Sequence, residues 1–349
     1  MASRNDHRLR EHRRECGLTQ AELATRAGVS RQLVAAVEAG RNAPAVDAAL
    51  SLAHALGTTV EVLFAERAVE VVAALGGRLR RGASLRVGRV ADRLVAAELP
   101  DHGALGAIWA TPDAVYEAGG ARFFAGARLA GTVIAGCDPA IGVAETMLDG
   151  LGPRSLLAIS APTGTALHAL RRGTVHAAIV HGPRGDLPEP PIPVVRWHLA
   201  RWWVGLAFAP RFQGHSFDAL LRSDATLAQR EPGAASQQAF ERARVAAGLG
   251  AVRPGPRATG HLDAARLAAV LDGAAVTTAS AASSFGLGFL ALEEHVVEVW
   301  AAKRWAEHPG IEAFTGLLAT PAFMERISHV GGYDLRDCGA RITAAGYER

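Results

Sequence analysis

Between Leu18 and Glu38 two short apolar repeats of helical period are separated by a single glycine, and this segment leaves the chain little freedom. Thr19 and Glu22 stand three residues apart, the spacing of a capping box that satisfies the free amides at a helix start. Ala24 is small where two helices must touch, and Gly28 can take the left-handed conformation that turns the chain. Ser30 stands where a second helix would be capped, and Leu23, Val29, Val34 and Val37 fall on one apolar face. The pattern predicts a helix-turn-helix inside a compact all-α domain over residues 1–66, with its helical pattern running from Asn5 to Phe64.

In that arrangement Arg31 and Gln32 occupy the first turn of the second helix, where side chains reach base edges in a major groove. Gln can bond adenine and Arg guanine through two hydrogen bonds each. Arg4, Arg8, Arg13 and Arg14 on the preceding helix, together with Gln20 and Arg41-Asn42, are expected at phosphates. Through Leu18 to Ala24, Val29-Ser30-Arg31-Gln32 and the tail Leu52 to Thr58, the first 65 or so residues resemble the phage lambda repressor and Cro (XRE) family of DNA-binding domains. The resemblance implies five helices, a homodimer on a palindromic double-stranded operator, and Gln20, Arg31 and Gln32 near bases. The residues expected at the DNA are Arg13, Thr19, Gln20, Ser30, Arg31, Gln32, Arg41 and Asn42. Residues 1–45 hold eight arginines against five acids, so each protomer should bind modestly and depend on dimerisation.

The remaining length exceeds what one core usually covers, so the 349-residue chain is expected to be multidomain. Three cysteines, Cys16, Cys137 and Cys338, far apart and in no CxxC spacing, argue against a disulfide framework and a zinc site, and so for a reducing compartment. A charged amino terminus and the lack of any apolar stretch of about 20 residues point to a soluble cytoplasmic protein with no membrane partner. A net charge of +3, with Lys303 as the single lysine, is too small to argue for nucleic acid by itself.

Residues 67–127 read as a small β-rich connector: Leu85 to Val90 and Leu94 to Leu99 form two β runs about an Ala91-Asp92-Arg93 turn, and Ala104 to Trp109 a third. Over residues 128–349 short apolar runs alternate with helical stretches, which predicts an α/β fold with a largely parallel sheet. The Pro-rich stretch from Pro183 to Pro193 reads as the crossing between two lobes. Ala135 to Ala140, Leu170 to His181, Arg230 to Gln237 and Ala269 to Val276, in that order and spacing, resemble the periplasmic-binding-protein superfamily in its cytoplasmic, molybdate-binding-related form.

Ligands of open α/β sheets bind beyond the carboxyl ends of strands, at helix amino termini. The strand ends nominate Cys137, Asp138, Thr163, Gly164, Thr165 and His181 in one lobe, and Arg230, Gly233, Ala234, Ala235, Ser236 and Thr277 in the other. Arg230 is the expected fixed charge, unless it pairs structurally with Glu231 or another acid; Asp138 either faces the ligand or caps a helix that starts at Pro139; and the ligand is an oxyanion such as molybdate or a small polar organic molecule. Relatives carry Gly-Ser-Gly-Thr where this chain has Gly233-Ala234-Ala235-Ser236, which together with Asp138 weakens the oxyanion reading. Trp197, Trp202 and Trp203 would either stack on an organic ring or pack the core. His176 and His181, five apart on a strand, point to opposite faces and make no metal pair. No catalytic motif, cofactor motif or resident metal site is read, so the expectation is a regulator rather than an enzyme. DNA affinity would respond to the ligand; alternatively, a degenerate binding-protein fold serves only oligomerisation of a constitutive DNA-binding protein.

Overall fold

The structure, a computed structural model, describes residues 6–64, 68–99, 111–117, 119–124, 126–231, 233–253, 255–343 and 346–348. The third connector run, Ala104 to Trp109, lies outside them, as does Arg4. The chain divides into two compact units, Met1–Val69 and Glu70–Arg349.

The first unit holds helices α1 (Asp6–Glu15), α2 (Gln20–Ala27), α3 (Arg31–Glu38), α4 (Val46–Ala55) and α5 (Val60–Phe64). Both expected caps form: Thr19 Oγ1 accepts from the Glu22 amide at 3.2 Å while Glu22 returns a bond to the Thr19 amide at 2.7 Å, and Ser30 Oγ accepts from the Leu33 amide at 3.1 Å. Gly28 turns the chain at φ +66°, where an L side chain is strained, and its amide closes α2 on Ala24 and Thr25. Leu9, Leu23, Val34, Leu52 and Leu63 are fully buried in one core, against which Val29 packs.

The second unit begins with a five-stranded sheet of β1 (Val72–Ala73), β2 (Ser84–Val90), β3 (Arg93–Glu98), β4 (Ala114–Glu117) and β5 (Gly120–Phe123), in the order β1-β3-β2-β4-β5. It does more than connect. Ala74, Val90 and Val95 share one buried core with Val133, Leu157 and Leu170 of the following fold. At Gly88 the two come so close that a Cβ would lie 2.5 Å from Val133 Cγ2, so only glycine fits.

Then follow β6 (Thr132–Gly136), α6 (Ala140–Met147), β7 (Leu156–Ser160), α7 (Thr163–Arg172), β8 (Ala177–Pro183), β9 (Val194–Phe208), α8 (Phe217–Arg222) and β10 (Leu227–Arg230). The remainder comprises α9 (Ala235–Ala246), β11 (Arg257–Ala258), α10 (His261–Val270), β12 (Ala274–Thr278), α11 (Ala279–Ser284) and β13 (Gly288–Ala302). Last come α12 (Pro309–Leu318), α13 (Pro321–Val330), β14 (Tyr333–Asp334), β15 (Arg341–Thr343) and β16 (Gly346–Glu348). The principal strand order is β11-β10-β12-β9-β13-β8-β6-β7.

Two expectations are corrected here. The sheet is mixed, because β9 and β13, each 15 residues long, run antiparallel through its centre. They also make the crossing between lobes. β9 pairs with β12 over Val204–Phe208 at one end, and β13 pairs with β8 over His295–Ala301 at the other. The Pro-rich stretch only leads from β8 into β9. The pairing of β13 with β9 shifts register twice, with Leu292 extra on β13 and Leu199 extra on β9, and each extra residue breaks the alternation of its own strand.

Candidate functional site

In the first unit Arg31 and Gln32 are exposed in the first turn of α3, and Arg41 and Asn42 are exposed after it. Thr19 and Ser30 spend their hydroxyls on the caps. Gln20 opens α2 half-buried, with Nε2 donating to Glu38 at 2.8 Å. Arg13 is a correction: it is 8% exposed and holds Glu38 through two bonds of 2.5 and 3.0 Å, with a third to the Leu18 carbonyl at 2.6 Å. A guanidinium so committed pins α1 to α3 and is not available to a phosphate. Burial pushes the Glu38 carboxyl up, but Arg13, Gln20 and Arg10 outweigh it and hold it below the usual range.

The second unit has a cavity of about 660 Å³ at the carboxyl ends of β6 and β7. One wall is Gly136, Cys137, Asp138 and the start of α6; Thr259 to Asp263, at the start of α10, form another. The five-stranded sheet supplies a third through residues 73–76, 78–80 and 96–99. Neither that wall nor His261 was legible in the sequence as site material, since nothing local marks a segment as facing a distant strand end.

Of the nominated ligand residues, Cys137 and Asp138 line this cavity. Asp138 is 1% exposed; its Oδ1 accepts from the Ala140 amide at 2.7 Å and from Tyr333 Oη at 2.8 Å, and Oδ2 has no partner. Burial raises its pKa to about 6, against those two bonds. His181 sits beside Trp202, His261 and His295, with ring centroids 5.2, 5.7 and 5.2 Å away. Thr163 is buried and accepts from the His181 amide at 3.5 Å, while Gly164 is exposed and Thr165 half-buried at the start of α7. Thr277 is fully buried and donates to the His261 carbonyl at 2.8 Å, which fixes the start of α10, where that ring stands.

Arg230 departs from its expected part. It is 2% exposed and doubly bonded to Glu231 at 2.9 and 3.1 Å, so its charge is already balanced. Its Nη1 donates to Ser236 Oγ at 3.4 Å and to His261 Nδ1 at 2.9 Å. Gly233 is exposed at φ +84°, Ala234 is buried and Ala235 half-buried; none of the three lines the cavity. Trp202 packs in the core, Trp197 is half-buried and Trp203 is 44% exposed.

His176 and His181 do lie apart: His176 Nδ1 accepts from the Val133 amide at 3.0 Å and packs on Trp305 and His308. Cys137, His181 and His261 bring one ligating atom each within 4.8 Å of one another. Glu293 accepts from His295 Nε2 at 2.7 Å, so the neutral His295 ring offers Nδ1 to His181 Nδ1 at 2.9 Å and leaves His181 Nε2 a lone pair. That is the arrangement of a metal-binding histidine. His261 is set the opposite way. A guanidinium only donates, so Nδ1 must accept and Nε2 keeps its proton. Burial also pushes the Cys137 thiol up to about 12. The trio is therefore arranged for hydrogen bonding, with donor and acceptor side by side, rather than for a cation.

A two-lobed α/β fold crossed by two long strands, with a cavity at its strand ends, defines a binding-protein domain, and here a helix-turn-helix precedes it. The chain belongs to the PBP superfamily, whose domain matches residues 145–319, half of its length, and it carries a helix-turn-helix family domain over residues 9–63. It is a DNA-binding transcriptional regulator with a substrate-binding-like domain. It is 55% identical over 49 residues, 14% of this chain and 71% of the other, to an uncharacterized HTH-type transcriptional regulator of Methanothermobacter thermautotrophicus. A restriction-modification controller protein from Aeromonas hydrophila is 38% identical, covering 17% of this chain and 91% of its own, at a TM-score of 0.17. A phosphate ABC transporter substrate-binding protein with bound phosphate from Clostridium perfringens is 10% identical, covering 58% and 98%, at a TM-score of 0.45. No helix among the described residues is long and apolar enough to cross a membrane.

Proposed function

We propose that the chain is a ligand-responsive, non-enzymatic regulator of transcription: two copies grip a palindromic operator through α3, and a small molecule in the cavity of the second unit changes their affinity for it. The observation that carries the reading is the cavity, whose lining includes two buried side chains, Asp138 and His261, that each keep a polar atom, Oδ2 and Nε2, without a hydrogen-bond partner. Unpaired buried polar groups are costly, and a site built to hold a ligand is a common reason to keep them. A fold retained only for oligomerisation has no use for them.

The test is calorimetric unfolding of the full chain with and without the low-molecular-weight fraction of cells that express it. A ligand at 100 times its Kd stabilises by about 2.7 kcal/mol. Gly142, which lines the cavity and whose Cβ would meet nothing within 4 Å, provides the control, because Gly142→Trp would fill the space. The wild type is expected to be stabilised and the variant not. If no fraction stabilises the wild type, the constitutive alternative stands.

A further inference from the structure

Three buried polar atoms without a hydrogen-bond partner fall in one place: Asp138 Oδ2, His261 Nε2 and Trp202 Nε1. The Trp202 ring lies 5.4 Å from that of His261 and 5.9 Å from that of Tyr333, whose hydroxyl donates to Asp138. Each atom has a fixed role. The Trp202 indole N–H only donates, and His261 Nε2 donates because Arg230 has taken Nδ1. Asp138 Oδ1 is occupied twice, so Oδ2 is an open acceptor.

Charge balance narrows the choice further. Among the described cavity residues, Arg80 pairs with Glu98, Arg86 with Glu145, and Asp263 with Arg266 outside the cavity. Arg230, behind His261, is balanced by Glu231. Arg78 is exposed, at the rim. The charge left without a cationic partner at the buried end is the negative one on Asp138. An inorganic oxyanion, even one that keeps an O–H to give, would bring a second negative charge beside it with no cation to balance the pair, whereas a neutral group that donates N–H would satisfy it.

We propose that the cavity takes a small organic molecule with no net negative charge, which gives an N–H to Asp138 and accepts from His261 through a carbonyl-type oxygen. This rests on the ligand-responsive reading and names the ligand's chemistry. Amides, lactams, ureides and nucleobase-like rings carry such a donor and acceptor side by side and fit. Molybdate and phosphate do not.

The experiment is thermal unfolding of the full chain with uracil, hydantoin, 2-pyrrolidone and nicotinamide in one set, and molybdate, phosphate and sulfate in the other, all at millimolar concentration. At least one organic probe is expected to raise the unfolding temperature of the second unit, and no oxyanion. The rise should vanish in Asp138→Asn, which replaces the open acceptor by a donor and keeps a similar shape, and in His261→Ala. Stabilisation by an oxyanion, a rise that survives Asp138→Asn, or no rise with any organic probe overturns the proposed class. If the cell fraction still stabilises the wild type in those cases, only the class has failed. If it does not, the ligand-responsive reading has failed with it.

Discussion

Two buried carboxylates, one in each compact unit, are treated in opposite ways. In the first, Glu38 is completely buried and fully answered: Arg13, Arg10 and Gln20 surround it, and its carboxyl stays ionised. In the second, Asp138 is just as buried, yet it has two donors on one oxygen, none on the other and no cation. One charge holds helices together, and the other keeps an open acceptor. Burial alone therefore does not tell the two apart; the completeness of their partners does.

Glu38 gives the largest expected effect. Glu38→Ala leaves Arg13 buried without its partner and should cost about 3–5 kcal/mol in the first unit, read as a lower first transition in denaturant with the second unchanged. Because the Glu38 pKa is depressed on folding, its contribution is present above the ordinary carboxylate range and is lost as pH falls through the lower folded value. An unchanged first transition would remove the contrast.

Asp138→Asn should do the reverse. Its pKa is raised from 3.8 to about 6 on folding, so ionisation costs stability, and that cost grows as pH rises between those values. The asparagine variant should be more stable than wild type at neutral pH by about 2–3 kcal/mol, and the difference should vanish below pH ~4. Equal stability at pH 7 would mean that Asp138 has the partner it lacks here. A gain in stability that accompanies loss of response is the usual signature of a functional site.

The two units also differed in how far they could be read from sequence. Caps, the turn glycine and the apolar face of the helix-turn-helix all lie within 21 residues of one another, so local patterning suffices. Arg13 escaped because its partner is 25 positions away. In the second unit the short parallel strands were legible as apolar runs, whereas β13 was hidden by its one extra residue, Leu292, and by polar residues such as Glu298, which pairs with Arg196 and accepts from Trp300. Asp138 was nominated by its strand end, but His261, Tyr333 and the β1–β3 wall come from segments up to 195 positions away along the chain. Arg230 could be read two ways from sequence, as a ligand's charge or as a pair with Glu231, and the pair is the contact that forms.

Smaller effects sharpen the picture on the DNA side. Gln32→Ala should cost about 1–3 kcal/mol on the preferred operator and relax selection at one base position, measured by binding to a randomised site library. Equal loss on all sequences would move base reading away from α3. Ser30→Ala removes the cap of that helix and should cost about 1 kcal/mol of stability, with base preference retained.

The central claim is that occupancy of the cavity changes the grip of α3 on DNA, and operator affinity of the full chain tests it most directly. Wild type and Gly142→Trp would be titrated on the selected operator at fixed salt, each with and without the low-molecular-weight cell fraction. Wild-type affinity is expected to change at least fivefold, about 1 kcal/mol of coupling, and the variant's not at all. Identical wild-type affinities with and without a fraction already shown to stabilise the protein would contradict it.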